Sequence, residues 1–189
     1  ATTGRIAFFG DLIEPLDQLH GGFASSTRGG TMGGLDSAAG YVDTIQFVTF
    51  STKGKASDFG NLSAARSEVT STSNSTRGLG FGGNSGTRKN ETEKYNGSSW
   101  SEQNNLSTAR RSMGSSGTQT AALASGGDAP PGVTPVNNTE EYDGTSWTAG
   151  GALNTARSGV MMGPAGTQAA GIIAGGYTGS VTDAVEHYD

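Results

Sequence analysis

The sequence predicts an all-β fold that contains about four repeated units. Three observations lead to this prediction: a nine-residue motif that occurs twice, Gly-Gly pairs at nearly regular spacing, and a composition that favours short strands. Gly accounts for 32 of the 189 residues and charged residues for only 15%. Many short strands joined by turns have this composition, and helical proteins do not. Disorder is the competing interpretation of so much Gly and Ser, but the glycines recur beside apolar clusters.

The nine-residue motif predicts a β-hairpin. It reads T-E-K-Y-N-G-S-S-W at Thr92–Trp100 and T-E-E-Y-D-G-T-S-W at Thr139–Trp147. In each copy we expect a strand that ends at Tyr, a tight Asn-Gly or Asp-Gly turn, and a second strand that Trp opens. This is a strong short-range hairpin signal.

Two further landmarks recur at the same period. Four apolar clusters end in Gly-Gly, and their second glycines are 44 to 49 residues apart, at Gly34, Gly83, Gly127 and Gly176. A Leu-x-x-Ala-Arg segment occurs three times, at Leu62–Arg66, Leu106–Arg110 and Leu153–Arg157, and the last two follow the predicted hairpins. The expected first copy, Leu12–Leu16, keeps Leu but has Pro15 and Leu16 in place of Ala-Arg. The first unit is therefore degenerate.

Four short strands in about 47 residues are the content of one propeller blade. We predict a small β-propeller of about four four-stranded blades in a single domain of residues 1–189. Its units are residues 35–83, 84–127, 128–176, and 177–189 together with 1–34. The last blade is thus built from both chain termini, which would close a ring by ladder hydrogen bonds.

Two other arrangements of the chain ends stay open. The C-terminal strand of one copy could pair with the N-terminal strand of the next and give a fibre. Alternatively, the sequence is a piece of a longer repeat array.

Together, the Gly-Gly pairs, the Tyr and Trp of the hairpins and the recurring Arg resemble the Kelch repeat. The T-E-E-Y-D-G-T-S-W and L-N-T-A-R motifs are most similar to Kelch-like repeats in structural and fibre proteins of marine tailed bacteriophages. The resemblance covers essentially the whole chain. There are two departures: Kelch propellers commonly have five or more blades, and the first unit lacks both its Arg and its Trp.

This resemblance implies a Kelch-like β-propeller and a non-enzymatic structural or adhesion role in a virion, as a fibre, tail or capsid-decoration protein. Such a module would lie on the exposed, extracellular surface of the virion and serve host attachment. Its expected partners are other virion proteins, further copies of itself, or a host surface glycan. The alternative is a cellular Kelch-type module for protein–protein interaction.

Composition and motifs argue against other functions. The chain has no Cys and only two histidines, His20 and His187, and no hydrolase or nucleotide-binding motif occurs. We therefore predict no enzyme, no cofactor and no metal site. A net charge of -5 argues against nucleic-acid binding, and no apolar run is long enough for membrane insertion.

Residues that recur once per unit are predicted to be structural, bonding carbonyls between blades or packing there: Arg66, Arg110, Arg157, Trp100 and Trp147. The two tryptophans could instead be stacking platforms for sugars.

The loops after Gly-Gly vary between units and would share one face of a propeller, where binding surfaces often lie. They span Leu35–Tyr41, Asn84–Asn90, Asp128–Asn137 and Tyr177–Val181. Their candidate binding residues are Asp36, Arg88, Lys89, Asp128 and Tyr177. The alternative is that these loops only tolerate changes in length.

Overall fold

The structure is a computed structural model that describes residues 9–19, 21–73, 77–160 and 166–189. Those residues form 17 strands and no helix, which confirms the all-β prediction. The strands are β1 (Gly22–Ala24), β2 (Arg28–Asp36), β3 (Gly40–Thr49), β4 (Ser57–Asn61), β5 (Thr70–Ser73), β6 (Gly78–Asn84), β7 (Arg88–Tyr95), β8 (Trp100–Gln103), β9 (Gly114–Thr118), β10 (Ala121–Ser125), β11 (Asp128–Ala129), β12 (Thr134–Pro135), β13 (Thr139–Tyr142), β14 (Trp147–Ala149), β15 (Gly166–Thr167), β16 (Ala170–Ala174) and β17 (Val185–Tyr188).

The strands form four antiparallel sheets in chain order. Sheet 1 has the order β1-β2-β3-β4, sheet 2 has β5-β6-β7-β8, and sheet 3 has β9-β10-β13-β14. Sheet 4 has the order β15-β16-β17 within the described residues. A small hairpin of β11 and β12 is inserted between β10 and β13. Each of the four sheets is a meander, so its alternate connections lie at opposite ends.

The two predicted hairpins are present, but their turns differ from the prediction. Tyr95 pairs with Trp100 and Tyr142 with Trp147, so four residues rather than two connect the strands. Asn96 Oδ1 accepts hydrogen bonds from the amides of Ser98 and Ser99. Asp143 occupies the same role in the second hairpin. Its Oδ1 accepts from the amides of Thr145 and Ser146. The side chain of Asn or Asp thus organises a longer loop.

The Gly-Gly pairs allow successive sheets to approach closely. The first glycine of each pair has a φ between 62° and 66°, a conformation that favours glycine. A Cβ on Gly33 would lie 2.1 Å from the carbonyl oxygen of Arg66, and one on Gly82 2.5 Å from that of Arg110. The second glycine of each pair donates its amide to the same kind of carbonyl: Gly34 to Arg66 (3.0 Å), Gly83 to Arg110 (2.9 Å) and Gly127 to Arg157 (2.8 Å).

Left-handed backbone recurs two residues after each recurring Arg. Glu68, Ser112 and Gly159 have φ values of 55°, 53° and 59°. Gln18, with φ 50°, has the same place after Leu16 in the degenerate first unit. These residues meet across the sheets, since the amide of Glu68 donates to the carbonyl of Gln18 and that of Gly159 to the carbonyl of Ser112.

Apolar side chains are buried where consecutive sheets pack against each other. The residues buried between sheets 1 and 2 are Met32, Ile45, Leu62 and Val69. Those between sheets 2 and 3 are Leu79, Phe81, Leu106, Met113, Ala122, Ala124 and Tyr142. Those between sheets 3 and 4 are Leu153, Val160 and Ile173. The core is thus a series of three layers between four sheets.

The sheets are out of phase with the repeat units defined from the sequence. Each boundary placed after Gly-Gly falls near the end of the second strand of a sheet, because the glycines lie within β2 and β6 and immediately after β10 and β16. Residues 1–8 of the predicted N-terminal strand and His20 lie outside the described residues. Next to them, the carbonyls of Phe9 and Asp11 accept hydrogen bonds from the amides of Gly54 and Ala56. This described part of the N-terminal segment therefore contacts sheet 1.

Candidate functional site

The recurring arginines are buried and paired with carboxylates. Arg110 Nη2 lies 2.6 Å from Glu140 Oε1, and Arg66 Nη2 lies 2.8 Å from Glu93 Oε1. Arg157 forms the equivalent pair with Glu186. Within sheet 3, Arg110 Nη1 also donates to the carbonyls of Gly126 and Asn138. Because the backbone carbonyl of the same arginine bonds the preceding sheet, each arginine joins two sheets.

The glutamate partners were not predicted from the sequence. Glu140 Oε2 accepts the amide of Ser107, so one carboxylate binds both ends of the Leu106–Arg110 segment. Glu93 Oε2 accepts the amide of Ser63, and Glu186 Oε2 that of Asn154, in the same way. The sequence does contain a signal for these partners, because a glutamate lies two residues before the tyrosine that ends each of these strands. A carboxylate that recurs with an arginine is an ion-pair candidate.

Burial and pairing shift the pKa values of these groups in opposite senses. Burial lowers the pKa of Arg110, and the charge of Glu140 opposes that shift. The pKa of Glu186 is lowered overall: burial raises it, but hydrogen bonds from Asn154 and the charge of Arg157 outweigh the burial. The lowered pKa of Glu186 favours its carboxylate form beside Arg157.

Two of the five predicted loop residues meet in an ionic cluster. Arg88 Nε donates to Asp128 Oδ1, and Arg111 Nε lies 3.0 Å from Asp128 Oδ2. Arg111 Nη1 in turn lies 2.5 Å from Glu68 Oε1, and Ser112 Oγ donates to Glu68 Oε2 at 2.6 Å. The cluster joins sheets 2 and 3, and each of its charges has an internal partner of opposite sign.

The other three predicted loop residues lie apart from this cluster. Asp36 Oδ1 accepts the amides of Ala38 and Ala39 and so organises the turn between β2 and β3. Both hydrogen bonds lower the pKa of Asp36, and the one from Ala39 has the larger effect. Lys89 Nζ lies 3.7 Å from Glu91 Oε1. Tyr177 is exposed and forms single bridges with Ser158 and Val181. The predicted loop residues therefore do not form one continuous site.

A cleft between sheets 1 and 2 is the best-formed candidate for a ligand site. It has a volume of about 310 Å³, which is within the range of small-molecule sites, roughly 300–1,000 Å³. We call it the aromatic cleft. Its aromatic lining residues are Phe23, Phe59, Tyr95 and Trp100, and its cationic lining residues are Arg28 and Arg77. The strands that line it are β1, β2 and β4 of sheet 1 and β6, β7 and β8 of sheet 2.

The aromatic rings of the cleft support one another. The Phe59 ring lies 4.4 Å from the Tyr95 ring and 6.4 Å from the Trp100 ring, measured between centroids. Trp100 Nε1 donates to the carbonyl of Phe59 at 3.2 Å. Cζ of Arg28 lies 4.6 Å from the centroid of Phe47, in cation–π geometry. These contacts fix the rings while leaving part of each ring open to solvent.

The two tryptophans, which the sequence treats alike, have different surroundings. Trp147 lies between sheets 2 and 3, 4.8 Å from the ring of Phe81, and its Nε1 donates to Thr92 Oγ1. Trp100 instead lines the aromatic cleft. The difference arises because the side chains facing Trp100 come from sheet 1, whose sequence departs from the repeat. Trp100 is therefore the tryptophan that could contact a ligand.

The aromatic cleft lies at the opposite end of the sheets from the predicted loops. It includes the β1–β2 connection and Gly97 of the β7–β8 connection, whereas the predicted loops follow β2 and β6. In an antiparallel meander those connections alternate between ends. The sequence indicated Trp100 as a possible stacking platform for sugars, and Tyr95 and Gly97 belong to the same motif. The rest of the site could not be found from the sequence, because its residues begin at Phe23 and share no motif with Trp100.

The chain matches no protein-family model and no curated protein sequence. Among the described residues, no group of three or more His, Cys, Asp or Glu side chains is arranged to hold a metal ion. No helix with the length and hydrophobicity needed to cross a membrane occurs in the described part of the chain.

Proposed function

We propose that this chain is a non-enzymatic adhesion or structural module of a virion, and that its aromatic cleft binds an acidic glycan of the host surface. The four sheets would be Kelch-like blades of a small β-propeller. The observation that carries the binding proposal is the aromatic cleft with its two arginines.

The chemistry of the cleft suits a sugar that carries a negative charge. A pyranose ring presents C–H bonds on one face, and that face packs well on an aromatic ring such as Trp100. A carboxylate or sulfate on the sugar would accept charge-assisted hydrogen bonds from Arg28 and Arg77, and guanidinium groups suit such anions because of their planar donor geometry. Stacking and charge would thus act on one ligand at the same time.

The role in a virion is supported by the Kelch-like motifs. The repeats form a scaffold of sheets, and the ionic groups at the predicted loop end are satisfied internally. The module would lie on the exposed surface of the particle and contact a neighbouring virion protein with another part of its surface. Genes for tail or capsid proteins next to its own gene would agree with this assignment.

Fluorescence of single-tryptophan variants tests the binding proposal directly, because the chain has only two tryptophans. W147F keeps Trp100 in the cleft, and W100F keeps Trp147 as a reporter between sheets 2 and 3. We expect oligogalacturonate, an acidic probe, to change the emission of W147F and leave that of W100F unchanged. A neutral glucose oligomer should have a much weaker effect.

Arginine variants distinguish binding in the aromatic cleft from non-specific electrostatic attraction of the acidic probe to the protein surface. R28A and R77A should each weaken oligogalacturonate binding by roughly tenfold or more in calorimetry, since a hydrogen bond to a charged group contributes about 1.5–3 kcal/mol. K53A removes an exposed cation outside the cleft and should have little effect. Equal losses for all three variants, or no binding of any charged oligosaccharide, would rule out the cleft as the site.

A further inference from the structure

The three interfaces between sheets use the same two faces. Each sheet has a forward face, directed to the next sheet, which includes the residues one and three positions before its Gly-Gly pair. In sheet 2 these are Phe81 and Leu79, both fully buried against sheet 3. Each sheet also has a backward face, directed to the preceding sheet. In sheet 3 the backward face is formed by Leu106, Met113, Ala122, Ala124 and Tyr142.

The forward face of sheet 4 has no sheet packed on it within the described residues. Ile172 occupies the position in sheet 4 that Leu79 occupies in sheet 2. Ile172 is 50% exposed, whereas Leu79 is 0% exposed. Val185 pairs with Ala174 on the same face, as Thr92 pairs with Phe81 in sheet 2. Val185 is 64% exposed, whereas Thr92 is 1% exposed. An apolar face of the kind that is buried in the other sheets is therefore left open to solvent.

The backward face of sheet 1 contains a cavity of about 380 Å³. Five of its lining residues occupy positions in sheet 1 that are equivalent to those of the five backward-face residues of sheet 3. We call this surface the socket, and the five residues are Leu12, Leu19, Gly29, Thr31 and Val48. A Cβ on Gly29 would lie 3.1 Å from Phe50, so Phe50 lies at the edge of the socket, and its side chain is 49% exposed.

A single replacement helps to explain why the socket is open. Val48 pairs with Gly29 across β2 and β3. At the same place in the other three sheets the residue is tyrosine: Tyr95 opposite Gly78, Tyr142 opposite Ala122, and Tyr188 opposite Gly171. The smaller valine leaves space where a tyrosine ring fills the other interfaces.

We propose that the forward face of sheet 4 docks into the socket of sheet 1 of a second copy of this chain. The partner is identified by the chain itself, since it uses this combination of faces three times internally. Its own two terminal faces do not cover each other, because Ile172 and Val185 are exposed. One forward face and one socket per chain form a head-to-tail contact, which produces rings or filaments. A ring of blades would then be completed between chains.

The test measures the mass of the full chain in solution by light scattering and sedimentation. We expect the wild type to form assemblies of two or more copies in a concentration-dependent equilibrium. I172E and F50E should each raise the dissociation constant by at least about tenfold, because a charge would be buried unpaired in the contact. V133E places the same charge on an exposed valine outside both faces and should assemble like the wild type.

Mixing the variants tests the head-to-tail geometry. I172E retains an intact socket and F50E an intact forward face, so their mixture should give a dimer that grows no further, at a concentration where each variant alone should be monomeric. Circular dichroism would verify that both variants remain folded. A monomeric wild type at high concentration would overturn the proposal, as would a mixture that stays monomeric. Neither result bears on glycan binding, which uses the opposite side of sheet 1.

Discussion

At the scale of single residues, the buried Arg–Glu pairs combine two tasks. The guanidinium of Arg110 bonds Glu140 and two carbonyls of sheet 3, while its own carbonyl bonds Gly83 of sheet 2. Removing one member of a buried pair leaves the other charge without compensation, and this is costly. The stability of the interface between sheets should therefore be sensitive to either member.

The first prediction concerns Glu140. E140Q keeps the size of the side chain but leaves the fully buried Arg110 without its counter-charge, so we expect the free energy of unfolding to fall by about 3–5 kcal/mol. E102Q, at an exposed position of β8, is the control and should change it by less than about 0.5 kcal/mol. Urea denaturation of both variants provides the measurement. Similar losses in the two variants would contradict the structural importance of the pair.

The second prediction concerns pH and Asp143. Amides of Ser146 and Thr145 lower the pKa of Asp143 below its ordinary 3.8 in the folded protein. A carboxylate with a lowered pKa stabilises the fold above the unfolded-state value, and this contribution is lost as the pH falls through the folded-state value. D143N keeps an acceptor for both amides, as Asn96 does in the other hairpin, but cannot titrate there.

Urea midpoints measured between about pH 5 and pH 2 should therefore fall less steeply for D143N than for the wild type. The reciprocal variant N96D should fall more steeply. If all three curves run parallel, the loop carboxylate does not contribute to acid sensitivity.

At the scale of elements, the close approach of sheets depends on the Gly-Gly pairs. Gly126 has a φ of +62°, and a Cβ there would lie 2.5 Å from the carbonyl oxygen of Arg157. Gly132 also has a positive φ, +75°, but nothing lies within 4 Å of its Cβ position. The two positions share left-handed backbone and differ in contact with the next sheet.

The third prediction compares alanine at these positions. G132A should lower the free energy of unfolding by about 1–2 kcal/mol, the cost of left-handed backbone at a residue with Cβ. G126A should lower it by a further 1–3 kcal/mol or so, because sheets 3 and 4 must also move apart. Thermal or urea unfolding would measure the difference. Equal destabilisation would show that the contact with Arg157 is unimportant.

The sequence predicts the elements better than their connections and partners. The strands of both hairpins follow from alternating residues that end at Tyr95 and Tyr142. The predicted turn length was wrong, because the dipeptides Asn-Gly and Asp-Gly do not reveal that the side chain of Asn96 or Asp143 organises a four-residue loop. Trp100 was a candidate stacking platform for sugars from the sequence, but the rest of the aromatic cleft could not be predicted. It depends on side chains of two sheets that come together only after the sheets pack.

At the scale of the whole molecule, two kinds of surface are separated in space. The ionic cluster around Asp128 lies at one end of the sheets, and the aromatic cleft lies at the other. The forward face of sheet 4 and the socket of sheet 1 form a third kind of surface, at the two ends of the series of sheets. Ligand binding and self-association would therefore not compete for the same residues.

The contacts between sheets also bear on how such a chain can change in length during evolution. Many of them join backbone atoms: a glycine amide to an arginine carbonyl, and one left-handed residue to the next. Apart from the glycines, these backbone contacts do not depend on side-chain identity. A recombination event that adds or deletes one entire unit would therefore create a junction that already fits, whereas an insertion of one residue within a strand that carries these contacts would disrupt them.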